Sequence, residues 1–365
     1  MRIVFFIGSL NNGGAERVIS NISNYISSHF NDKVSIILNS DKRIGYDISN
    51  KIKLYCLDDK KYHNWFFRNV NRICNLRKFI NELNPDIIIS FLPEQNFRVL
   101  ILKKMKLINS KIIISIRNDP KFEYPNNLYK LLVKLLYNKA NGIVFQTQEA
   151  KEYFSDKIQK KSKIIPNPIN EKFINKKFHG VREKNIVSVG RLEEQKNHKL
   201  LIQAYSELPT NLKSQYKFII YGEGSLKEVL QKQIKELNCE KNIILKGKVK
   251  NIEEKIYKDS IFVLSSNYEG MPNSLMEAMA LGLACISTNC SSGGPNVLIN
   301  NKKNGILINV GDRKQLKKAL LELINDNKYM EKISINSIES MKEYLPEKIN
   351  KIWKDYIDKI YKERN

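Results

Sequence analysis

Twelve apolar runs of strand length, almost free of polar interruption, limit what this 365-residue chain can fold into. The first half holds RIVFFI (2–7), KVSIIL (33–38), DIIISFL (86–92), KIIISI (111–116), GIVFQ (142–146) and SKIIPN (162–167). The second half holds NIVSVG (185–190), YKFIIYG (216–222), NIILKG (242–247), SIFVLSS (260–266), LACIST (283–288) and GILINV (305–310). A sheet with one wet face alternates apolar and polar residues, whereas a continuous Ile/Val run implies a parallel strand covered on both faces. Amphipathic stretches at 15–29, 64–83, 95–106 and 126–139 separate the strands of the first half, and helical segments separate those of the second. Strand followed by helix, repeated, is the doubly wound α/β pattern. The prolines of IIPNPIN (164–170) and the irregular polar stretch after them read as a linker. Two similar α/β domains are therefore expected, 1–168 and 169–345, facing each other across a cleft. A last amphipathic helix within 346–365 gathers Ile349, Ile352, Trp353, Tyr356 and Ile360 on one face. That face is expected to pack back onto the first domain.

Bulk properties narrow the setting. No apolar run approaches the roughly 18 residues of a membrane span. MRIVFFIGSL places a basic residue before an apolar run, but the run is short, lacks a cleavage site and enters a glycine loop, so it reads as a first strand. The five cysteines (56, 74, 239, 285, 290) are scattered without a CxxC pair, which favours a reducing compartment over disulfides or zinc. A cytoplasmic protein is expected. The net charge is +24. Nucleic-acid binding would call for a groove-reading or stacking motif, and none occurs. An anionic membrane surface and a phosphorylated substrate both fit, as does simple Lys/Asn/Ile drift.

Two stretches of the second half carry chemistry. GRLEEQKN (190–197) puts Arg191 and Lys196 on a loop at the carboxyl end of a strand, where open α/β sheets bind ligands. A fork and a point charge together suit a diphosphate, although two solvated charges explain the pair more plainly. EGMPNSLMEAMA (269–280) sets Glu269 and Glu277 around a loop that becomes a helix near Ser274. Ser274 and Glu277 have capping-box spacing. The same helix start offers free N–H groups to an anion, and Gly270 permits close approach. An anion held there would repel both acids, so they are expected to face neutral donors such as sugar and ribose hydroxyls. Together these features describe a nucleotide-sugar site.

GRLEEQKN and the Glu-x7-Glu of EGMPNSLMEAMA closely resemble the retaining glycosyltransferases of family 4, which have the GT-B fold of two Rossmann-like domains. SLNNGGAERVISNIS (9–23) resembles that family's first glycine loop, and GILINVGD (305–312) its late strand. The resemblance spans nearly the whole chain. It implies that Arg191 and Lys196 neutralise the donor diphosphate, that Glu277 holds the ribose, and that Glu269 holds the transferred sugar. The segment Gly270, Met271, Pro272, Asn273, Ser274 and Leu275 would assist, and Gly13 and Gly14 would bring the first domain's backbone to the diphosphate. Gly222, with Gly224, would border the site, and Val249 would line the base pocket. One position departs from the pattern. Where many relatives carry a histidine after the strand KIIISI, this chain has Arg117 and Asn118, an arrangement similar to bacterial members that build capsules, O-antigens and glycoprotein glycans. Arg117 would face a donor or acceptor diphosphate; a surface pair with Asp119 is the alternative.

The implied reaction is front-face displacement with retention, using a UDP-sugar. No Asp-x-Asp motif occurs, so no metal and no other cofactor is expected. The implied acceptor is a polyprenyl-diphosphate-linked saccharide at the inner face of the cytoplasmic membrane. Two basic, apolar segments, 63–80 with Trp65, Phe66 and Phe67, and 128–139, are expected to touch anionic lipid, or else to be packed helices with solvated basic faces. A nucleotide-sugar epimerase of the same fold and a non-enzymatic basic binding protein are the competing readings. IGSLNNGG is not G-x-G-x-x-G, and no P-loop occurs, so dinucleotide dehydrogenase and NTPase are set aside.

Overall fold

The computed structural model describes residues 1–11, 13–39, 43–57, 64–176, 178 and 180–363, and all of these but the side chains of Trp65 and Phe66. The chain divides into two compact units, Met1–Pro168 with Pro346–Asn365, and Ile169–Leu345.

The first unit carries a seven-stranded sheet: β1 (Arg2–Ile7), β2 (Lys33–Leu38), β3 (Lys53–Cys56), β4 (Ile87–Phe91), β5 (Lys111–Ser115), β6 (Gly142–Phe145) and β7 (Ser162–Ile164). Their spatial order is 3-2-1-4-5-6-7. The second unit carries six: β8 (Glu183–Val189), β9 (Lys217–Tyr221), β10 (Ile243–Gly247), β11 (Asp259–Leu264), β12 (Ala284–Thr288) and β13 (Ile306–Ile308), in the order 10-9-8-11-12-13. Neighbouring strands in both sheets pair in parallel. In each sheet the chain winds outward from a central strand and then returns to its other side, which leaves a switch point between β1 and β4 and another between β8 and β11.

Both faces of each sheet are covered, as the unbroken Ile/Val runs require. Ile3, Phe5 and Ile7 of β1 join Val18, Ile22 and Ile26 of the helix Gly14–His29 and Trp353 and Tyr356 of the helix Pro346–Lys362. Val4 and Phe6 face the opposite layer, with Leu76, Leu100 and Tyr137. The terminal helix is fixed to this unit by polar contacts as well. The Tyr356 hydroxyl donates to the Lys161 carbonyl at 2.8 Å, and Lys354 pairs with Asp32 at 3.3 Å. In the second unit Ile186, Val263 and Ile286 pack under Leu201, Leu230 and Leu320, while Val187, Phe262 and Cys285 meet Phe173, Leu275 and Met279 on the other side. One strand lies outside the sequence expectation. β3 is a four-residue edge strand with two exposed and two half-buried positions, too short and too wet to form an apolar run.

Candidate functional site

The carboxyl ends of β8 and β11 come together at the second unit's switch point, and their loops are sewn to each other. After β8, Gly190–Asn197 turns through a short 3-10 segment into the helix His198–Ser206, with Asn197 in the left-handed region and capping Leu200 N–H. After β11, residues 265–272 lead into the helix Asn273–Ala280. The Asn267 amide donates to the Gln195 carbonyl at 2.8 Å, and the Gln195 side-chain amide donates to the Tyr268 carbonyl at 3.0 Å. The Ser265 hydroxyl reaches the Lys196 and Asn197 carbonyls at 3.0 Å.

The two cations of the first loop diverge. Arg191 is exposed and donates to the Gln195 side chain at 3.0 Å. Lys196 lays its stem over Gly190 and pairs with Glu269, Nζ to Oε1, at 2.5 Å. Their side chains are only 14% and 9% exposed. The Glu269 Oε1 also accepts from the Ser266 hydroxyl at 2.7 Å, and the Ser266 carbonyl in turn accepts from Thr288 at 2.6 Å. The solvated-charge alternative therefore fails for Lys196. The expectation that Glu269 faces neutral donors is met only by Ser266, because a cation 73 residues away in sequence occupies the same oxygen.

The capping box is corrected. The helix begins at Asn273 with Pro272 as its N-cap, and Pro272 makes no side-chain cap hydrogen bond. Proline keeps the residue before it out of the helical region, so the helix starts no earlier than this, and Ser274 falls inside the first turn. Glu277 is buried in the body of the helix beside Leu275 and Met276. Met271 and Pro272 are buried, and Asn273 and Ser274 are half-buried.

Glycines let these loops meet. Gly222, at φ +153°, lies so close to the Gly190 carbonyl that a Cβ would stand 1.8 Å from its oxygen. A Cβ on Gly294, just beyond β12, would stand 1.7 Å from the Gly270 oxygen. Gly224 abuts Leu192 in the same way. Val249 is partly buried against the apolar cluster that contains Tyr221, Met271 and Leu275.

The first unit holds the remaining candidates. Gly13 caps the helix that starts at Gly14, and the Glu16 carboxylate fills the space beside it. Gly13's carbonyl accepts from the Tyr46 hydroxyl at 2.7 Å. Arg117 is no surface residue. Its guanidinium donates to Asn167 Oδ1 and to the Ser115 hydroxyl, and it lies over the Phe91 ring at 5.2 Å. Asp119 is buried too and caps the next turn through Lys121 N–H, so the surface-pair alternative fails. Burial lowers the Arg117 pKa to about 9 against the pull of Glu123, and burial raises the Glu123 carboxyl to about 8. Asn118 is half-buried beside them. Asn167, which reads in sequence as part of a linker, also accepts from Gln146 at 2.8 Å and is the pivot of this cluster.

Comparison with known proteins shows the family and the fold. The model of the glycosyl transferases group 1 family matches residues 169–340, and a glycosyl transferase 4-like model matches residues 10–147. An N-acetylgalactosamine-N,N'-diacetylbacillosaminyl-diphospho-undecaprenol 4-alpha-N-acetylgalactosaminyltransferase of Campylobacter jejuni is 31% identical over 90% of this chain and 91% of its own length. The chain belongs to the family 4, group 1 glycosyltransferases. An uncharacterized glycosyltransferase of Methanocaldococcus jannaschii is 30% identical over 84% of this chain and 88% of its own. Among solved structures, the Anabaena HepE protein in complex with UDP superimposes with a TM-score of 0.80 at 16% identity, covering 98% of this glycosyltransferase and 100% of that chain. That likeness shows the GT-B fold.

Proposed function

We propose that this glycosyltransferase moves a hexose or N-acetylhexosamine from a UDP-sugar, with retention and without a metal, to a polyprenyl-diphosphate-linked saccharide in bacterial surface-glycan synthesis. The observation that carries the reading is the Lys196–Glu269 pair at the carboxyl ends of β8 and β11, just ahead of the helix that starts at Asn273. A donor would part them. Lys196, Arg191 and the first amides of the helix would take the diphosphate, Glu269 the hydroxyls of the sugar, and Glu277 the ribose. Glu269 then binds away from the anomeric carbon and is no nucleophile. The bond from that carbon to the diphosphate breaks as the bond to the acceptor oxygen forms on the same face, and the acceptor's proton passes to the departing diphosphate. Gly13, Gly14, Arg117 and Asn118 are the first unit's own candidates for phosphate and acceptor contacts. The acceptor class rests on relatives such as the Campylobacter enzyme above, whose name places its sugar acceptor on diphospho-undecaprenol. These relatives are transferases, which sets the epimerase aside.

A membrane contact fits the same substrate. Among the described residues no helix is long and apolar enough to cross a membrane. The short helix Asn127–Leu136 nevertheless leaves Leu128, Leu131 and Leu135 about half exposed, among Lys130, Lys134 and Lys139. Phe67 and Val70 are exposed on the helix Trp65–Leu83, and residue 63 lies outside the described residues.

Calorimetry against UDP, GDP and ADP, followed by a panel of UDP-sugars in chelator, tests the donor. UDP is expected to bind tightest, and turnover is expected to survive the chelator. Preference for another base, or loss of turnover with the chelator, breaks that part of the reading. Flotation with phosphatidylglycerol vesicles tests the membrane contact, and Leu131→Asp is expected to weaken it.

A further inference from the structure

Two serines follow β11 in succession, and their hydroxyls bond in different directions. Ser265 and Ser266 are 1% and 0% exposed. The Ser265 hydroxyl is bound to the backbone of the cation loop, at the Lys196 and Asn197 carbonyls. The Ser266 hydroxyl donates to Glu269 Oε1 at 2.7 Å, the same oxygen that Lys196 Nζ meets. The register of β11 with β12 runs out at Leu264 and Ser287. Just beyond it the Thr288 hydroxyl donates to the Ser266 carbonyl at 2.6 Å. Ser266 is thus fixed to the sheet through its main chain and to the acid through its side chain. A serine hydroxyl has one proton to donate, and this one is committed to a carboxylate in a place closed to water. Hydrogen bonds to an ionised group are stronger than neutral ones, and more so away from water.

We propose that Ser266 is a positioning residue for Glu269: when the donor diphosphate draws Lys196 away, the Ser266 hydroxyl keeps Oε1 in place, so that the carboxylate's remaining lone pairs face the hydroxyls of the transferred sugar. The inference rests on the donor reading above and deepens it, because it names the group that holds the sugar-binding acid once its cation has left. Each carboxylate oxygen has two lone pairs, so a bond from Ser266 leaves both oxygens able to accept from a sugar. The main chain of Lys196 stays bound to Ser265 meanwhile, and only its flexible stem has to move. Ser266 touches the acid and not the substrate, so its removal falls on the sugar and spares the nucleotide.

The test pairs calorimetry with UDP and kinetics with the UDP-sugar that the panel above selects, on the full-length chain. Ser266→Ala is expected to leave UDP affinity within about twofold and to lower kcat/KM for the UDP-sugar roughly ten- to a hundredfold, the weight of one hydrogen bond to a charged group. In a Glu269→Ala background the same change is expected to cost less than about twofold more, because the group it holds is gone. Ser266→Cys, similar in size but a weaker donor, is expected to fall between wild type and alanine, and it carries the test if the alanine variant does not fold. A loss of UDP affinity equal to the loss in kcat/KM overturns the proposal, since a merely structural serine would act on both. So does a full Ser266→Ala loss in the Glu269→Ala background, or turnover untouched by Ser266→Ala while Glu269→Ala impairs it. Normal turnover by Glu269→Ala, or no binding of UDP, GDP or ADP to the unaltered chain, breaks the donor reading itself and this one with it.

Discussion

In the second unit the charges at the carboxyl edge of the sheet neutralise one another: Lys196 meets Glu269 at 2.5 Å, and both sit on loops bonded to each other through backbone. In the first unit the corresponding edge holds Arg117 through the neutral side chains of Asn167 and Ser115 and the Phe91 ring, with the proton-retaining Glu123 beside it and Asp119 buried nearby. The two sheets share one winding order. The difference lies in their loops, where one edge pairs its cation directly with an acid and the other holds its cation mainly through neutral groups. A paired site can exchange one set of partners for another at little net cost in charge burial. An amide-held arginine is a fixed receptor, already desolvated.

The largest effects should come from the glycines that bring the second unit's loops together. Gly222→Ala places its methyl on the Gly190 carbonyl at a φ that L residues avoid, and Gly294→Ala places one on the Gly270 carbonyl. Backbone must move in both cases, so each is expected to cost about 4 kcal/mol in denaturant unfolding, enough to abolish UDP binding. Next comes Lys196→Ala, which leaves Glu269 enclosed and unpaired. It should cost about 3 kcal/mol, and the double variant with Glu269→Ala less than that. Glu269→Ala alone frees Lys196, so UDP affinity should hold or rise while turnover falls. If Glu269→Ala turned over normally, its assignment to the transferred sugar would be wrong.

Much of this was legible in the sequence. Covered parallel strands announce themselves as unbroken Ile/Val runs, and Arg191, Lys196, Glu269 and Glu277 stand out by spacing. What could not be read is what depends on chain contacts far apart in sequence. The Lys196–Glu269 pair spans 73 residues, and Asn167 becomes the partner of Arg117 across 50. Gly294 follows β12 without any motif, and only its approach to Gly270 gives it meaning. Ser266 had a signal, since it stands just ahead of Glu269, but the aim of its hydroxyl belongs to the fold. The helix start near Ser274 was legible to within one residue, but the capping box was not formed, because Pro272 and not Ser274 stands at the cap.

A pH experiment sharpens the contrast from the other side. The Glu123 carboxyl titrates near 4.5 in the unfolded chain and near 8 in the fold, because burial outweighs the attraction of Arg117. Between those values the native state binds the extra proton, so the first unit is most stable at the acid end and loses stability as the pH rises toward 8. The loss should be on the order of 2 kcal/mol with the neighbouring Arg117 opposing it. Asp259 in the second unit is raised to about 7 by burial and slopes the same way, so the readout must be local. Hydrogen-exchange protection at β4 and β5 should weaken as the pH rises, and Glu123→Gln should flatten that slope. A slope that survives Glu123→Gln would mean that Arg117 is not held beside a protonated acid.

The smallest effect is expected at the first unit's own switch point. Gly8 follows β1 as Gly190 follows β8, yet a methyl there would find only the Gln95 side-chain nitrogen, at 3.7 Å, an ordinary contact. Gly8→Ala should therefore change stability by less than about 0.5 kcal/mol. Gly190→Ala, whose methyl meets the Lys196 stem at 3.2 Å, should fall between this and Gly222→Ala. If Gly8→Ala left folding untouched but lowered turnover, the substrate itself would approach Gly8 closely, and the first unit's glycine loop would be a contact surface in its own right. If stability and turnover are both unchanged, close backbone packing at a switch point is a property of the second unit alone.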